Sequence, residues 1–164
     1  MEKTVQIERS VNRGFTLIEL LIVSAVILIL IAISTPLFRK SVIDLELRDT
    51  VSSLIKFVNY AHQRAVIEGV VYKMEFDSVS GTYRLFKATG VSPDYGFTVP
   101  ADRFGKVFYI PRDIRIDSEL REVFFYPDGH SDAWGLRLIN KNNKVSVISS
   151  NGILGRIDVE TKRG

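Results

Sequence analysis

The sequence predicts an α+β fold: a long N-terminal helix, apolar in its first half and amphipathic in its second, packed on an antiparallel β-sheet head. Three observations predict it. Leu20 to Ile33 is apolar at every position except Ser24. From Ile43 to Ala65 the apolar residues recur at helical spacing. After Gly69 the hydrophobic period drops to two, the mark of half-buried strands.

The first 14 residues, MEKTVQIERSVNRG, are polar and carry Lys3, Arg9 and Arg13. Phe15 to Leu37 follows as FTLIELLIVSAVILILIAISTPL, where Glu19 is the only ionisable side chain. About 20 helical residues cross a bilayer core of roughly 30 Å, so this run is long enough to span a membrane. A conventional secretory signal has an apolar region of about 7–15 residues and a small-residue cleavage site after it. This run is longer, and Ser34-Thr35-Pro36 supplies no A-x-A pattern. A plain membrane anchor is the simplest reading of the segment taken by itself. Basic residues flank both ends, Arg13 before and Arg39, Lys40 and Arg48 after, so loop charge does not orient it.

Ile43, Leu47, Val51, Leu54, Val58, Ala61 and Ala65 lie on one helix face, with Asp44, Glu46, Arg48, Asp49, Lys56 and Arg64 off that stripe. Gly69 is a natural C-terminal stop. Only Pro36 interrupts the pattern, so one helix over 15–68 is expected, kinked near Pro36, where the ring removes a backbone donor. Beyond it, VVYKMEF, a DSVSG turn and TYRLFK read as a hairpin. The stretch ATGVSPDYGFTVPADRFG reads as a loop. Further strands are expected at KVFYI, REVFFY, GLRLIN, KVSVIS and GRIDVE, six or seven in all, with the helix stripe laid on one face of a single sheet.

Composition narrows the chemistry. The chain has 164 residues, a net charge of +3 and no cysteine, which excludes disulfides, thiolate metal sites and a cysteine nucleophile. Charges of both signs are interspersed through the head, as on an ordinary soluble surface, so no nucleic-acid partner is expected. There are two histidines, His62 and His130, and no G-x-S-x-G elbow, so no catalytic residue is assigned and no enzyme activity is expected. No phosphate-cradling glycine loop is visible, and neither a cofactor nor a small-molecule substrate is expected. Asp128, His130 and Asp132 alternate in PDGHSDAWG. These side chains suit a cation, but Asp and Gly also suit a tight turn; the turn is preferred and no metal is assigned. Trp134 is read as a core plug, His62 as structural or solvated, and Lys141-Asn142-Asn143 as a hairpin turn.

Glu19 remains to be explained, because a lone carboxylate within an apolar span costs about 2.5–3.5 kcal/mol on insertion scales. Snorkelling to the interface would suffice for a residue so near the end of the run. Its neighbours point further. Gly14-Phe15-Thr16-Leu17-Ile18-Glu19, preceded by Arg13 and followed by the apolar run, resembles the processing motif of type IV pilins and pseudopilins. The resemblance implies a cytoplasmic leader over 1–14, removed by a prepilin peptidase and N-methyltransferase that cuts after Gly14 and methylates Phe15. It implies a transmembrane and filament-core helix over 15–37, an amphipathic helix over 38–69 and a periplasmic head over 70–164. Glu19 would pair with the Phe15 amine of a neighbouring subunit, and Pro36 matches a proline common in these helices. Phe125-x-Pro127-x-Gly129 and Gly155-Arg156 are similar to the H-type minor pseudopilins of type II secretion and to related minor type IV pilins. Expected partners are therefore other pilins or pseudopilins and the bacterial inner membrane. The presence of Glu19 argues against the tip subunit of a secretion pseudopilus. A minor type IV pilin, priming a pilus or serving DNA uptake, is the alternative.

Overall fold

A computed structural model describes residues 15–89, 96–153 and 155–163. The chain divides into two compact units, one up to Arg39 and one from Lys40 onward. A single helix, α1 (Leu17–Glu68, 52 residues), begins in the first and ends in the second. Its helical assignment runs through Pro36 without a break. Gly69, at φ +66°, ends it by taking the left-handed conformation that other residues resist.

In the first unit the large apolar side chains of α1 whose burial is described are exposed, from Leu17 at 82% to Val23 at 48%. Ser24 satisfies its hydroxyl locally by donating to the Leu20 carbonyl at 2.8 Å. A helix apolar on every side is stable only inside lipid or inside an assembly.

The second unit holds two antiparallel sheets. The first runs β3 (Gly96–Thr98), β2 (Thr82–Thr89), β1 (Tyr72–Asp77), β6 (Glu122–Phe125), with β4 (Phe108–Tyr109) also paired to β2. The second runs β5 (Ile114–Asp117), β7 (Trp134–Asn140), β8 (Lys144–Ser150), β9 (Asp158–Arg163). The expected hairpin is β1–β2, in register from Tyr72↔Lys87 to Asp77↔Thr82. Strands β7 and β8 pair from Trp134↔Ser150 to Ile139↔Val145, and β9 pairs along β8.

One core joins all three layers. Leu47, Leu54, Phe57, Ala61 and Ala65 from α1 meet Tyr72, Met74, Leu85, Val123 and Phe125 from the first sheet and Leu138 and Ile148 from the second. The expected stripe is buried from Leu47 to Ala65, and Ile43 is half-buried at its start. The α+β class and the helix-on-sheet packing hold; the single sheet does not.

The sheets part at the turn after β6. Phe125 and Ser131 form an isolated bridge, and Asp132 extends the pairing by binding Phe124 twice. Its Oδ2 accepts from the Phe124 N–H at 3.0 Å, and its own N–H donates to the Phe124 carbonyl at 3.0 Å. Alternation reveals that a strand exists but not which sheet receives it, which is why one sheet was expected.

Two strands were unexpected. β3 is three residues inside the stretch read as loop, and β5 is four residues of IRID, both too short for a period to declare itself. Conversely, KVFYI contributes only two paired residues. Ile110 adds one more backbone bond in the same register, donating to the Gly81 carbonyl at 2.8 Å, and Pro111 then has no N–H to continue a ladder.

Candidate functional site

The N-terminal end of α1 carries the expected assembly residues. Thr16 stands just before the first helical residue. Its hydroxyl oxygen and its carbonyl both accept from the Glu19 N–H, at 3.3 and 3.1 Å. Thr16 is thus the N-cap and Glu19 the third helical residue, the spacing of a capping box. The T-x-x-E spacing of Thr16 and Glu19 is the sequence signature of this cap, a second role for Glu19 beside its charge. Four orphan backbone donors and the positive end of the helix dipole gather here, so a carboxylate is favoured at this position. Phe15 is 79% exposed, and Glu19 is exposed one turn after it. Gly14, the expected cleavage position, lies outside the described residues.

A second cluster sits where the amphipathic half begins. Asp44 accepts from Asn140 Nδ2 at 2.8 Å, from Asn142 Nδ2 at 3.0 Å and from Lys144 Nζ at 3.3 Å. Asn142 also donates to the Lys40 carbonyl at 3.0 Å. Asn140 is 3% exposed, and its Oδ1 is satisfied by the N–H groups of Asn142 and Lys144. The side-chain bonds from Asn142 and Asn140, with Lys144 beside them, hold the Asp44 carboxyl below the ordinary aspartate value of 3.8. The Lys141–Asn143 turn is therefore more than a hairpin link. It docks the second sheet onto the helix, a role that a turn signature does not announce.

A third cluster closes the other end of the helix. Arg64 pairs with Glu68 at 2.7 Å, Glu68 pairs with Lys87 on β2 and accepts from the Tyr72 hydroxyl at 2.9 Å, and Tyr60 donates to Asp102. The bonds from Lys87 and Tyr72 lower the Glu68 pKa despite its partial burial. His62 explains the two short motifs. Its Nε2 lies 2.8 Å from the Gly129 carbonyl, its ring meets Phe125 edge to face, and a Cβ on Gly155 would stand 3.0 Å from the ring. Phe125, Gly129 and Gly155, distant in sequence, thus converge on one helix residue, which makes His62 structural.

The alternating Asp128, His130 and Asp132 do not converge. Asp128 accepts from the His130 N–H at 3.0 Å and lies 3.3 Å from its ring, which lowers its pKa. Asp132 faces away, to Phe124 and to the Tyr126 hydroxyl at 3.1 Å. No group of three or more His, Asp or Glu side chains suited to a metal occurs among the described residues. Trp134 is 7% exposed and belongs to the core cluster, as a plug.

Residues 9–35 match the prokaryotic N-terminal methylation motif. No curated protein matches the sequence. Among solved structures, the fold is similar to the minor pseudopilin EpsH of the type 2 secretion system of Vibrio cholerae. That likeness has a TM-score of 0.57 at 14% identity over 70% of this chain and 96% of the other. A second EpsH structure gives 0.54 at 11% identity, over 72% and 94% of the two chains. The type IV minor pilin FimU of Pseudomonas aeruginosa gives 0.53 at 17% identity, over 71% and 90%. The chain therefore joins the methylation motif to a pilin-like fold.

Proposed function

We propose that this chain is a minor pseudopilin, a non-enzymatic structural subunit of the periplasmic pseudopilus of a type II secretion system. The observation that carries the reading is the junction at Phe15–Glu19. A methylation motif over 9–35 leads into a capped helix whose apolar half is exposed among the described residues. A prepilin peptidase cutting after Gly14 would free an amine at Phe15, one helical turn from Glu19, and methylate it. The chain would rest in the bacterial inner membrane as a single span, N-terminus cytoplasmic and head periplasmic, until assembly.

In the filament, the apolar helices pack side by side and shield one another from water. Glu19 of one subunit meets the Phe15 amine of the next. Two desolvated charges attract strongly, whereas either alone is penalised, so pairing rewards assembly and fixes the stagger between neighbours. Pro36 supplies compliance between the filament core and the head, because the missing donor weakens the helix there.

The fold supports a second reading with nearly equal force: a minor type IV pilin, since FimU and EpsH resemble the chain to a similar degree. Deleting the gene in its host separates them. The pseudopilin reading expects exported enzymes to accumulate in the periplasm while surface pili persist. Loss of pili with normal export would support the pilin reading instead.

A further inference from the structure

The second sheet ends on an open edge. β9 pairs with β8 along its whole length, from Asp158↔Ser149 to Arg163↔Lys144, and no described residue pairs with its other side. Every second residue of β9 therefore points its backbone N–H and C=O away from the sheet, where an extended chain can bind them. Edge strands are ordinarily shielded by shortness, a proline or a bulge. β9 is six residues long, contains no proline and keeps an unbroken register. The other strands that end a sheet are shorter: β3 has three residues, β5 four and β6 four.

Beneath this edge lies a groove of about 400 Å³, lined by Val159 and Thr161 of β9, Ser146 of β8, and Ile55, Arg48 and Lys56 of α1. Val159 is 42% exposed, and the Thr161 hydroxyl is already partnered by Ser146 at 3.0 Å. A strand added beside β9 would lay every second side chain over this groove. Apolar residues suit Val159 and Ile55. Arg48 and Lys56 are exposed, and among the described residues neither forms an ion pair, so each suits a carboxylate. They stand about 12 Å apart along the helix, a distance that four residues of extended strand also span.

We propose that β9 is a docking edge that accepts, as a fifth strand of its sheet, an extended segment of a different protein whose groove-facing positions carry apolar and acidic residues in turn. Backbone pairing supplies the affinity, and the groove supplies the selection. A second copy of this chain does not meet that requirement. Its β9 would bring Val159 and Thr161 to the groove but no carboxylate, because Asp158 and Glu160 lie on the opposite face, paired with Arg156 and Lys162. Edge and groove belong wholly to the second unit, so the docking does not depend on the filament reading.

The test uses the full-length chain in detergent micelles and a fluorescent peptide, VTETVTETV, whose valines and glutamates share one face of a strand. Fluorescence anisotropy should show it binding about tenfold more tightly than the lysine version VTKTVTKTV, since the exchange turns attraction into repulsion. R48E together with K56E in the chain should reverse that preference. Two further peptides are N-methylated, one at its threonines and one at its valines and glutamates. Only one of these sets of N–H groups faces β9, so only one of the two peptides should lose affinity. No binding at millimolar peptide, equal affinity for the two charge forms, or equal tolerance of both methylation patterns would overturn the docking edge. A dimer of the chain alone that the peptide dissolves would assign the edge to a second copy and overturn the proposal likewise.

Discussion

At the scale of single residues, Glu19 and Gly155 make the most specific demands. Glu19→Gln keeps the shape and the capping geometry at Thr16 but removes the charge. Membrane insertion and cleavage should persist, while crosslinking to neighbouring subunits falls sharply; Glu19→Ala, which lifts a charge penalty of about 2.5–3.5 kcal/mol, should insert better still and show the same loss of crosslinking. Unchanged crosslinking would return Glu19 to a snorkelling and capping role alone. Gly155→Ala places a Cβ about 3 Å from the His62 ring at a backbone φ of +64°. Left-handed backbone costs an L-residue about 1–2 kcal/mol. The head should therefore melt several degrees lower, by more than a Gly135→Ala control in open space. Residue-scale reading from the sequence was uneven. The stripe from Leu47 to Ala65 was legible because helical spacing declares a face. Phe57 was not. It lies beside the stripe, 1% exposed, against Tyr83, Phe104 and Phe108, and such a lateral contact exists only once β2, β4 and the 3-10 turn at Arg103–Gly105 are in place.

At the scale of elements, the amphipathic half of α1 and the sheets need each other. Leu47, Val51, Leu54, Phe57 and Val58 are buried, and burying each contributes about 1.5–3 kcal/mol, or about 7–15 kcal/mol together. That equals the whole stability of an ordinary domain, about 5–15 kcal/mol. A fragment of residues 40–164 should thus be a soluble monomer with a cooperative melt, and a fragment beginning at residue 70 should aggregate. Equal melts for the two would break the helix-on-sheet account. The Asp44 cluster adds a pH signature. Because the folded carboxyl sits below 3.8, its stabilisation is present above that value and is lost as pH falls through the lower folded value. Asp44→Asn in residues 40–164 should therefore lower the melting temperature at pH 6 and converge on the wild type in stronger acid; a constant difference across that range would contradict it. The hairpin β1–β2 and the turn at Lys141–Asn143 were readable from local pattern. The split into two sheets was not, because alternation marks a strand without showing which sheet receives it.

At the scale of the whole molecule, the apolar half of α1 is exposed among the described residues. A helix apolar on every side calls for lipid or an assembly around it. The filament account depends on one covalent event. Loss of the first 14 of 164 residues leaves 150, beginning with N-methylated Phe15. Intact mass spectrometry of the protein extracted from its native membrane measures this event directly. The account predicts the mass of residues 15–164 plus a single methyl group at the amine; the unprocessed mass, or a mature terminus beyond residue 30 as in ordinary secretion, would contradict it.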